Sequence, residues 1–379
     1  MIPISICISL AYLFLIGSFV YGFNKVKRFK LQNIPAKTKF SIIIPFRNEV
    51  ENLPELLNSI FALEYPNQLY EIILVDDHSK DGSKESIQKI LNIKQVKHIQ
   101  LDIRVIQNER KTNSPKKDAI TTAIKQIKYE WIITSDADCV LPKFWLNSFD
   151  QFIQKTNAKC IAAPIIYTKT NSFLSRFQLA DLLSLQGATI GGFGIRKPFL
   201  CNGANFAYQK RLFNELNGFE GNTHIASGDD IFFLEKATIK HSKNIEYLKC
   251  SQAIVTTKPQ LSYKDLISQR LRWAAKTSSY NNWFGKLTGA IVLLANALVI
   301  TLLLLSILSS MSPNILLYVL VIKLNIDFIL IYKTADFFNQ KAILRSFLVA
   351  FILYPFFSVY VVFLSTFKSY KWKGRYFKK

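Results

Sequence analysis

A chain of 379 residues of which 50% are hydrophobic holds more apolar material than one soluble core normally requires, so part of it is expected to lie in lipid. Lys and Arg outnumber Asp and Glu by 48 to 26, a net +22 that suits an anionic membrane surface, a nucleic acid or phosphorylated substrates. Cys7, Cys139, Cys160, Cys201 and Cys250 are widely spaced and the four histidines form no His-x-x-x-His pattern, so reduced thiols and no zinc site are expected.

From Ile2 to about Phe23 the chain is apolar and uncharged, long enough to cross a hydrocarbon core of roughly 30 Å as a helix. The basic cluster Lys25, Lys27, Arg28, Lys30 follows this run instead of preceding it, which is the order of a retained anchor with the next residues cytosolic, not of a cleaved signal. Between Lys39 and Lys258 short β-branched runs alternate with helix-like stretches. Phe40 to Ile44, Glu71 to Val75, Ile103 to Ile106 and Trp131 to Thr134 read as buried strands. Asn52 to Leu63, Lys84 to Ile93 and Lys116 to Ile127 read as crossover helices of a mostly parallel α/β sheet, whose ligands bind at the carboxyl ends of the strands.

After Trp283 the chain turns apolar again, at Leu287 to Leu308, Ile315 to Tyr332 and Phe347 to Phe367. The middle segment carries Lys323 and Asp327. Such charges are costly in lipid, so this segment packs in a bundle, lies at the interface, or pairs the two charges one helical turn apart. The tail (Lys368, Lys371, Lys373, Arg375, Lys378, Lys379) is basic and expected in the cytosol. Three complete spans after a cytosolic domain would put it outside, so one segment fails to cross or the charge rule fails. The expected divisions are an anchor at 1–23, a basic linker at 24–38, a catalytic domain at 39–258, an interfacial region at 259–284, apolar segments at 285–367 and the tail at 368–379.

Acidic groups stand where the strands end. Asp76 and Asp77 close one run and Asp136-Ala137-Asp138 another, so both clusters face one crevice. Carboxylates one residue apart position a hard divalent cation bridging a diphosphate, with Asp138 the best ligand candidate; acidic turns and helix N-caps are the plain alternative. Gly228-Asp229-Asp230 precedes a helix-like stretch and offers either a general base or another N-cap. The small-residue turn Cys201-Asn202-Gly203-Ala204-Asn205 permits close backbone approach to a ligand. Gln269-Arg270-Leu271-Arg272-Trp273 sets an arginine for phosphate and a tryptophan for a sugar ring just before the apolar segments, where both residues also serve as membrane anchors.

Taken in order, these residues resemble the Asp, Asp-x-Asp, Asp, Gln-x-x-Arg-Trp signature of family 2 glycosyltransferases, and among them the membrane synthases and lipid-directed transferases. The likeness covers Lys39 to Trp273 and begins at Ile43-Ile44-Pro45-Phe46-Arg47-Asn48-Glu49. It implies an α/β GT-A nucleotide-sugar-binding domain with a mostly parallel mixed sheet, flanked by transmembrane helices. It also implies a nucleoside-diphosphate sugar, a Mg or Mn ion and inversion at the anomeric carbon. By the same resemblance Pro45, Arg47, Glu49, Asp76 and Asp77 border the nucleoside, Lys117 meets the donor phosphates or base, and Asp136 and Asp138 hold the sugar diphosphate and metal. Asp230 is the implied general base, while Asp229, Gln269, Arg272 and Trp273 lie on the acceptor and diphosphate side. Two positions depart from the family pattern: His78 stands where many relatives have glycine, and Lys116-Lys117 replaces a more usual Gly-Lys.

The expected function is transfer of a sugar to a lipid, lipid-linked or saccharide acceptor at a bacterial plasma (inner) membrane, with the catalytic domain cytosolic and membrane lipids as partners. A processive polysaccharide synthase is the alternative, and a catalytically inactive sugar-nucleotide sensor or scaffold the rival from another class. No Gly-x-Gly-x-x-Gly follows the first strand, against a dinucleotide oxidoreductase, and no base-stacking motif accompanies the basic residues, against nucleic-acid binding.

Overall fold

The computed structural model describes residues 1–96, 101–168, 170–276, 279–368, 370–373 and 375–377; Lys378 and Lys379 of the expected basic tail lie outside them. In chain order the first elements are α1 (Ile2–Lys25), β1 (Phe40–Phe46), α2 (Leu53–Phe61), β2 (Tyr70–Asp76), α3 (Ser83–Val96), β3 (Asp102–Gln107), α4 (Pro115–Ile124) and β4 (Trp131–Thr134). They continue with α5 (Trp145–Lys155), β5 (Cys160–Ala162), β6 (Ile165–Tyr167), α6 (Phe173–Gly194), β7 (Phe206–Gln209), α7 (Lys210–Glu215), α8 (Asp229–His241), β8 (Ile245–Tyr247) and β9 (Val255–Thr257). The last are α9 (Tyr263–Ala275), α10 (Trp283–Ile307), α11 (Pro313–Phe337), α12 (Phe347–Phe367), β10 (Tyr370–Trp372) and β11 (Arg375–Phe377).

Two compact units divide the chain. One comprises Lys27–Thr168 and Cys201–Lys258, the other Met1–Val26, Lys169–Leu200 and Pro259–Lys379. Residues 169–200 therefore group with the apolar helices, where the sequence pattern placed all of 39–258 together. Helix α6 carries Arg176, Asp181 and four glycines among its apolar residues, so its composition gives no span signal, yet most of its surface is buried.

The first unit is built on a mostly parallel mixed sheet in the order β3-β2-β1-β4-β7-β5-β8, the expected α/β class. Strands β1, β2, β3 and β4 run parallel, and β7 runs antiparallel to both β4 and β5. The central strands FSIIIPF and YEIILVD are buried on both faces, which is why they read as continuous apolar runs. Each fully buried Ile, Val or Leu there is worth roughly 1.5–3 kcal/mol over exposure. The register aligns the strand ends. Phe46 lies opposite Asp76, and Ile43 lies opposite Thr134, which in turn pairs with Phe206 at the start of β7. The carboxyl ends of β1, β2 and β4 thus meet the segment that enters β7.

The second unit contains four helical stretches, among the described residues, that are long and apolar enough to cross a membrane: Ile2–Lys25, Trp283–Ile307, Pro313–Phe337 and Lys341–Phe367. Helices α1 and α6 cross at glycines. A Cβ on Gly22 would stand 2.1 Å from the Gly191 carbonyl oxygen, and one on Gly194 would stand 1.9 Å from that of Gly22. Small residues at helix crossings allow this backbone approach where lipid offers no hydrophobic drive. Lys323 and Asp327 take the pairing among the expected alternatives: Lys323 Nζ donates to Asp327 Oδ2 at 2.5 Å, and Tyr12 Oη donates to Asp327 Oδ1 at 2.6 Å. The charges are neutralised inside the bundle and fasten α11 to α1. At the end of α11, Lys333 Nζ donates to Asn24 Oδ1 at 3.1 Å, so α11 finishes beside the carboxyl end of α1. Phe347 in the first turn of α12 clusters with Ile331 of α11, Leu364 in its last turn packs on Leu271 of α9, and Pro355 lies between them inside the continuous helix.

The crossing makes a testable contrast. Gly22→Ala and Gly194→Ala should each destabilise the purified protein by about 1–3 kcal/mol through overpacking, whereas Gly17→Ala, with nothing within 4 Å of its Cβ position, should not. Thermal midpoints of the three variants in one detergent check this; equal midpoints would show that the glycines play no part in the packing.

Candidate active site

The segment after β2 turns back sharply. Asp76 Oδ1 accepts the Ser79 N–H at 2.9 Å, and His78 between them adopts φ 59°. This left-handed conformation explains why glycine is usual at such a position, and histidine is among the residues that tolerate it. Asp76 also pairs with Lys84 at 3.2 Å. Asp77 is buried and accepts the Asn108 side-chain N–H at 2.7 Å, with Arg110 at 3.6 Å and Arg47 at 3.9 Å. Arg47 also donates to the carbonyls of Asp77 and His78. Glu49 is buried beside the same turn, its N–H on Ser83 Oγ and its carboxylate on Asn52. Pro45 is half-buried near the end of β1, opposite Val75. The nucleoside-side residues expected from the sequence thus share one corner, joined by Asn108 and Arg110, which no sequence motif singled out.

Asn108 extends this corner by donating to the carbonyl of Pro115, the residue that opens α4. From the next position Lys116 reaches Asp136 Oδ1 at 2.6 Å and Asp229 Oδ2 at 3.3 Å. Burial alone would lower the Lys116 pKa, but Asp136, Asp229 and Asp230 outweigh it and hold the ammonium well above its ordinary value. Lys117, expected at the donor phosphates or base, donates its ammonium to the carbonyls of Asn222 at 2.6 Å and Ile225 at 3.0 Å and lies 4.9 Å from the Phe232 ring centroid. It braces the loop before α8. Spacing alone does not tell which of two adjacent lysines in a first helical turn reaches Asp136 and Asp229; here it is Lys116.

Asp136 and Asp138 occupy a turn directly after β4, both half-exposed, with the Cys139 N–H on the Asp136 carbonyl at 3.2 Å. Burial, then Asp138 and Asp136, push the Cys139 thiol up, so it stays neutral. Asp229 and Asp230 occupy the first turn of α8, where the helix dipole favours ionised carboxylates. The N-cap is Gly228 at φ 86°, so neither aspartate takes the N-cap position that was their plain alternative. Asp229 is buried and Asp230 half-exposed.

The Cys201–Asn205 turn joins the two acidic clusters. Thr134 Oγ1 donates to the Gly203 carbonyl at 2.8 Å and Ser135 Oγ to that of Ala204 at 3.0 Å, fastening the turn to the end of β4. Gly203 N–H in turn donates to Asp230 Oδ2 at 2.9 Å. A Cβ on Gly203 would meet Asp229 Oδ2 at 2.9 Å and Lys116 Nζ at 3.1 Å, so the missing side chain is the space the cluster uses. Asn205 is consumed by structure: its side chain donates to the carbonyls of Pro164 and Ala253 and accepts the Trp145 indole N–H. One connected constellation results, running from Asp77 through Asn108, Pro115 and Lys116 to Asp136 and Asp229, and through Gly203 to Asp230.

Gln269, Arg272 and Trp273 belong to the helical unit, all half-buried on α9. Arg270 between them is buried and pairs with Asp181 of α6.

Among known proteins, the family described as Glycosyl transferase family 2 matches residues 41–217, and Glycosyl transferase family group 2 matches residues 131–367. The chain is 29% identical over 186 residues to the poly-beta-1,6-N-acetyl-D-glucosamine synthase of Staphylococcus epidermidis, covering 46% of this chain and 41% of that one. It is 37% identical over 105 residues to the undecaprenyl-phosphate 4-deoxy-4-formamido-L-arabinose transferase of Proteus mirabilis, covering 27% and 30%. The chain spans between 30% and 60% of the length of these and another curated relative. The mannosyltransferase PcManGT of Pyrobaculum calidifontis, solved with GDP-Man and Mn2+, shares the fold with a TM-score of 0.55 at 14% identity over 96% of this chain and 98% of that one. The chain belongs to glycosyl transferase family group 2, which matches it over more than half its length.

Proposed function

We propose that this protein is an inverting glycosyltransferase that moves a sugar from a nucleoside-diphosphate donor to a lipid or lipid-linked acceptor at a membrane. The observation that carries this reading is the constellation in which Lys116 bridges Asp136 and Asp229 while Gly203 N–H holds Asp230. Pro45, Arg47, Glu49, Asp76 and Asp77 border the nucleoside in this reading, and Lys116 takes the phosphate role expected of Lys117. Asp230, half-exposed in the first turn of α8, where the helix dipole favours a carboxylate, accepts the proton of the attacking hydroxyl. Asp229 stays paired with Lys116 and keeps that charge aimed at the leaving diphosphate. Gln269, Arg272 and Trp273 are assigned to the acceptor and diphosphate.

The residues fit a Mg or Mn ion. Among the described residues no group of three or more His, Cys, Asp or Glu is arranged to hold an ion alone, and Asp138 sits half-exposed in the Asp136–Cys139 turn. That suits an ion held by one or two carboxylates together with substrate phosphates. When bound, such an ion supplies charge neutralisation at the departing diphosphate.

A processive synthase is the second reading, favoured by the α9 motif and by the similarity to a polysaccharide synthase. The small number of apolar helices favours single transfer. Electrophoretic product length separates the two, single transfer giving one added sugar and processive synthesis a ladder.

Orientation follows from charge. With Lys25, Lys27, Arg28 and Lys30 at the end of α1, the sheet-based unit faces the cytosol. Both ends of α12 contact elements near that side: Ile331, close to the Lys333–Asn24 bond, and Leu271 of the charged helix α9. The charge rule places the basic tail on the cytosolic side as well, which requires that one of the C-terminal segments does not cross completely; α12, with Pro355 inside it and contacts to Ile331 and Leu271 at its two ends, is assigned as that segment.

Two experiments test these proposals. Reconstituted protein, given native membranes and a panel of nucleoside-diphosphate sugars, should release nucleotide from one donor in a metal-dependent way. Asp138→Ala should abolish that release, and Asp230→Asn should slow transfer by roughly 10²–10⁴-fold with donor binding retained. Loss of donor binding in folded Asp230→Asn would contradict the base assignment. Separately, a membrane-impermeant maleimide should label Lys27→Cys and Lys371→Cys above the parent protein from the same face of oriented vesicles; labelling from opposite faces would show that α12 crosses.

A further inference from the structure

Inside the helical unit, one ion pair holds the α9 motif in place. Arg270, the second residue of Gln269-Arg270-Leu271-Arg272-Trp273, is 6% exposed, and its partner Asp181 on α6 is equally buried. Arg270 Nε and Nη2 both reach Asp181 Oδ2, at 2.8 and 2.6 Å. The same guanidinium donates through Nη1 to Gln269 Oε1 at 2.6 Å, and its Cζ lies 4.2 Å from the Trp273 ring centroid. The planar fork therefore does three things at once: it pairs with a carboxylate, orients an amide and stacks beneath an indole. Lysine can supply the charge but not this geometry. A buried arginine opposite a carboxylate is costly to desolvate, and its retention at this position wants a reason beyond packing.

We propose that Arg270 and Asp181 are positioning residues, an anchored fork that sets the Gln269 and Trp273 side chains from helix α6. Asp181 thereby belongs to the acceptor machinery although it lies outside the motif. The proposal rests on the reading in which Trp273, with Gln269 beside it, serves the acceptor sugar while Arg272 serves the diphosphate. It makes acceptor use, and not donor binding, the property that depends on the pair. Removing the carboxylate frees the fork to rotate, and the amide and indole lose their support together.

The test uses the full chain in lipid nanodiscs, as wild type, Asp181→Asn, Arg270→Lys and the charge-exchanged double variant Asp181→Arg/Arg270→Asp. Each is made with and without Trp273→Phe, so that the difference spectrum isolates the Trp273 fluorescence. The expected result is a red-shifted, more readily quenched Trp273 in Asp181→Asn and Arg270→Lys. Transfer kcat should fall by roughly 100-fold, as for misplaced positioning groups, with donor KM and donor affinity unchanged, and the exchanged pair should recover part of the loss. An unaltered Trp273 spectrum in folded Asp181→Asn and Arg270→Lys would overturn the proposal. So would parallel loss of donor and acceptor parameters with a lowered thermal midpoint, the signature of a merely structural pair. A freed Trp273 with unchanged transfer would uphold the fork and instead refute the acceptor assignment of α9.

Discussion

Asp136, Asp138, Asp229 and Asp230 are gathered at one end of the sheet, and such a concentration of negative charge is stable only if it is compensated. Lys116 provides the internal compensation by bridging Asp136 and Asp229. Much of the surrounding architecture serves to deliver these groups. The parallel register of β1, β2 and β4 brings their carboxyl ends together, and antiparallel β7 returns the Cys201–Asn205 turn to the same edge. Gly203 is required there because any side chain would occupy the space between Lys116 and Asp229. A diphosphate, itself strongly anionic, enters such a site only with further positive charge, which is the physical basis for coupling donor binding to a divalent cation.

The helical unit solves a different problem with related means. Its buried charges are paired at short range, Lys323 with Asp327 and Arg270 with Asp181, so neither pair leaves an isolated ion in an apolar setting. Tyr12 adds a hydroxyl to the first pair and ties α1 to α11. The glycines of α1 and α6 bring those two backbones into contact without any polar side chain.

Much of this was legible from the sequence. The runs Phe40 to Ile44, Glu71 to Val75 and Trp131 to Thr134 lie within or coincide with observed strands, because strands buried on both faces are written as unbroken β-branched segments. The acidic pairs read as strand-end groups occupy strand ends. Less was legible where direction, not composition, decides. Lys116 and Lys117 are chemically identical, and only the geometry of the first turn of α4 sends one to the carboxylates and the other to the Asn222 and Ile225 carbonyls. Helix α6 was missed because its glycines and charges break the hydropathy signal, although Gly191, Gly194 and Asp181 are among the residues that fasten it to α1 and α9. Asn205 sat in a turn that reads as ligand-binding, yet its amide is spent on Trp145, Pro164 and Ala253.

The central proposal is that a divalent cation is held jointly by Asp138 and the phosphates of the donor. Titrating Mn2+ into the wild-type protein while following the free-ion electron paramagnetic resonance signal, with and without a nucleoside diphosphate, tests this most directly. Mn2+ alone should bind weakly, and binding should become markedly tighter when the nucleotide is present. Tight binding in the absence of nucleotide, or affinity indifferent to it, would contradict the joint site.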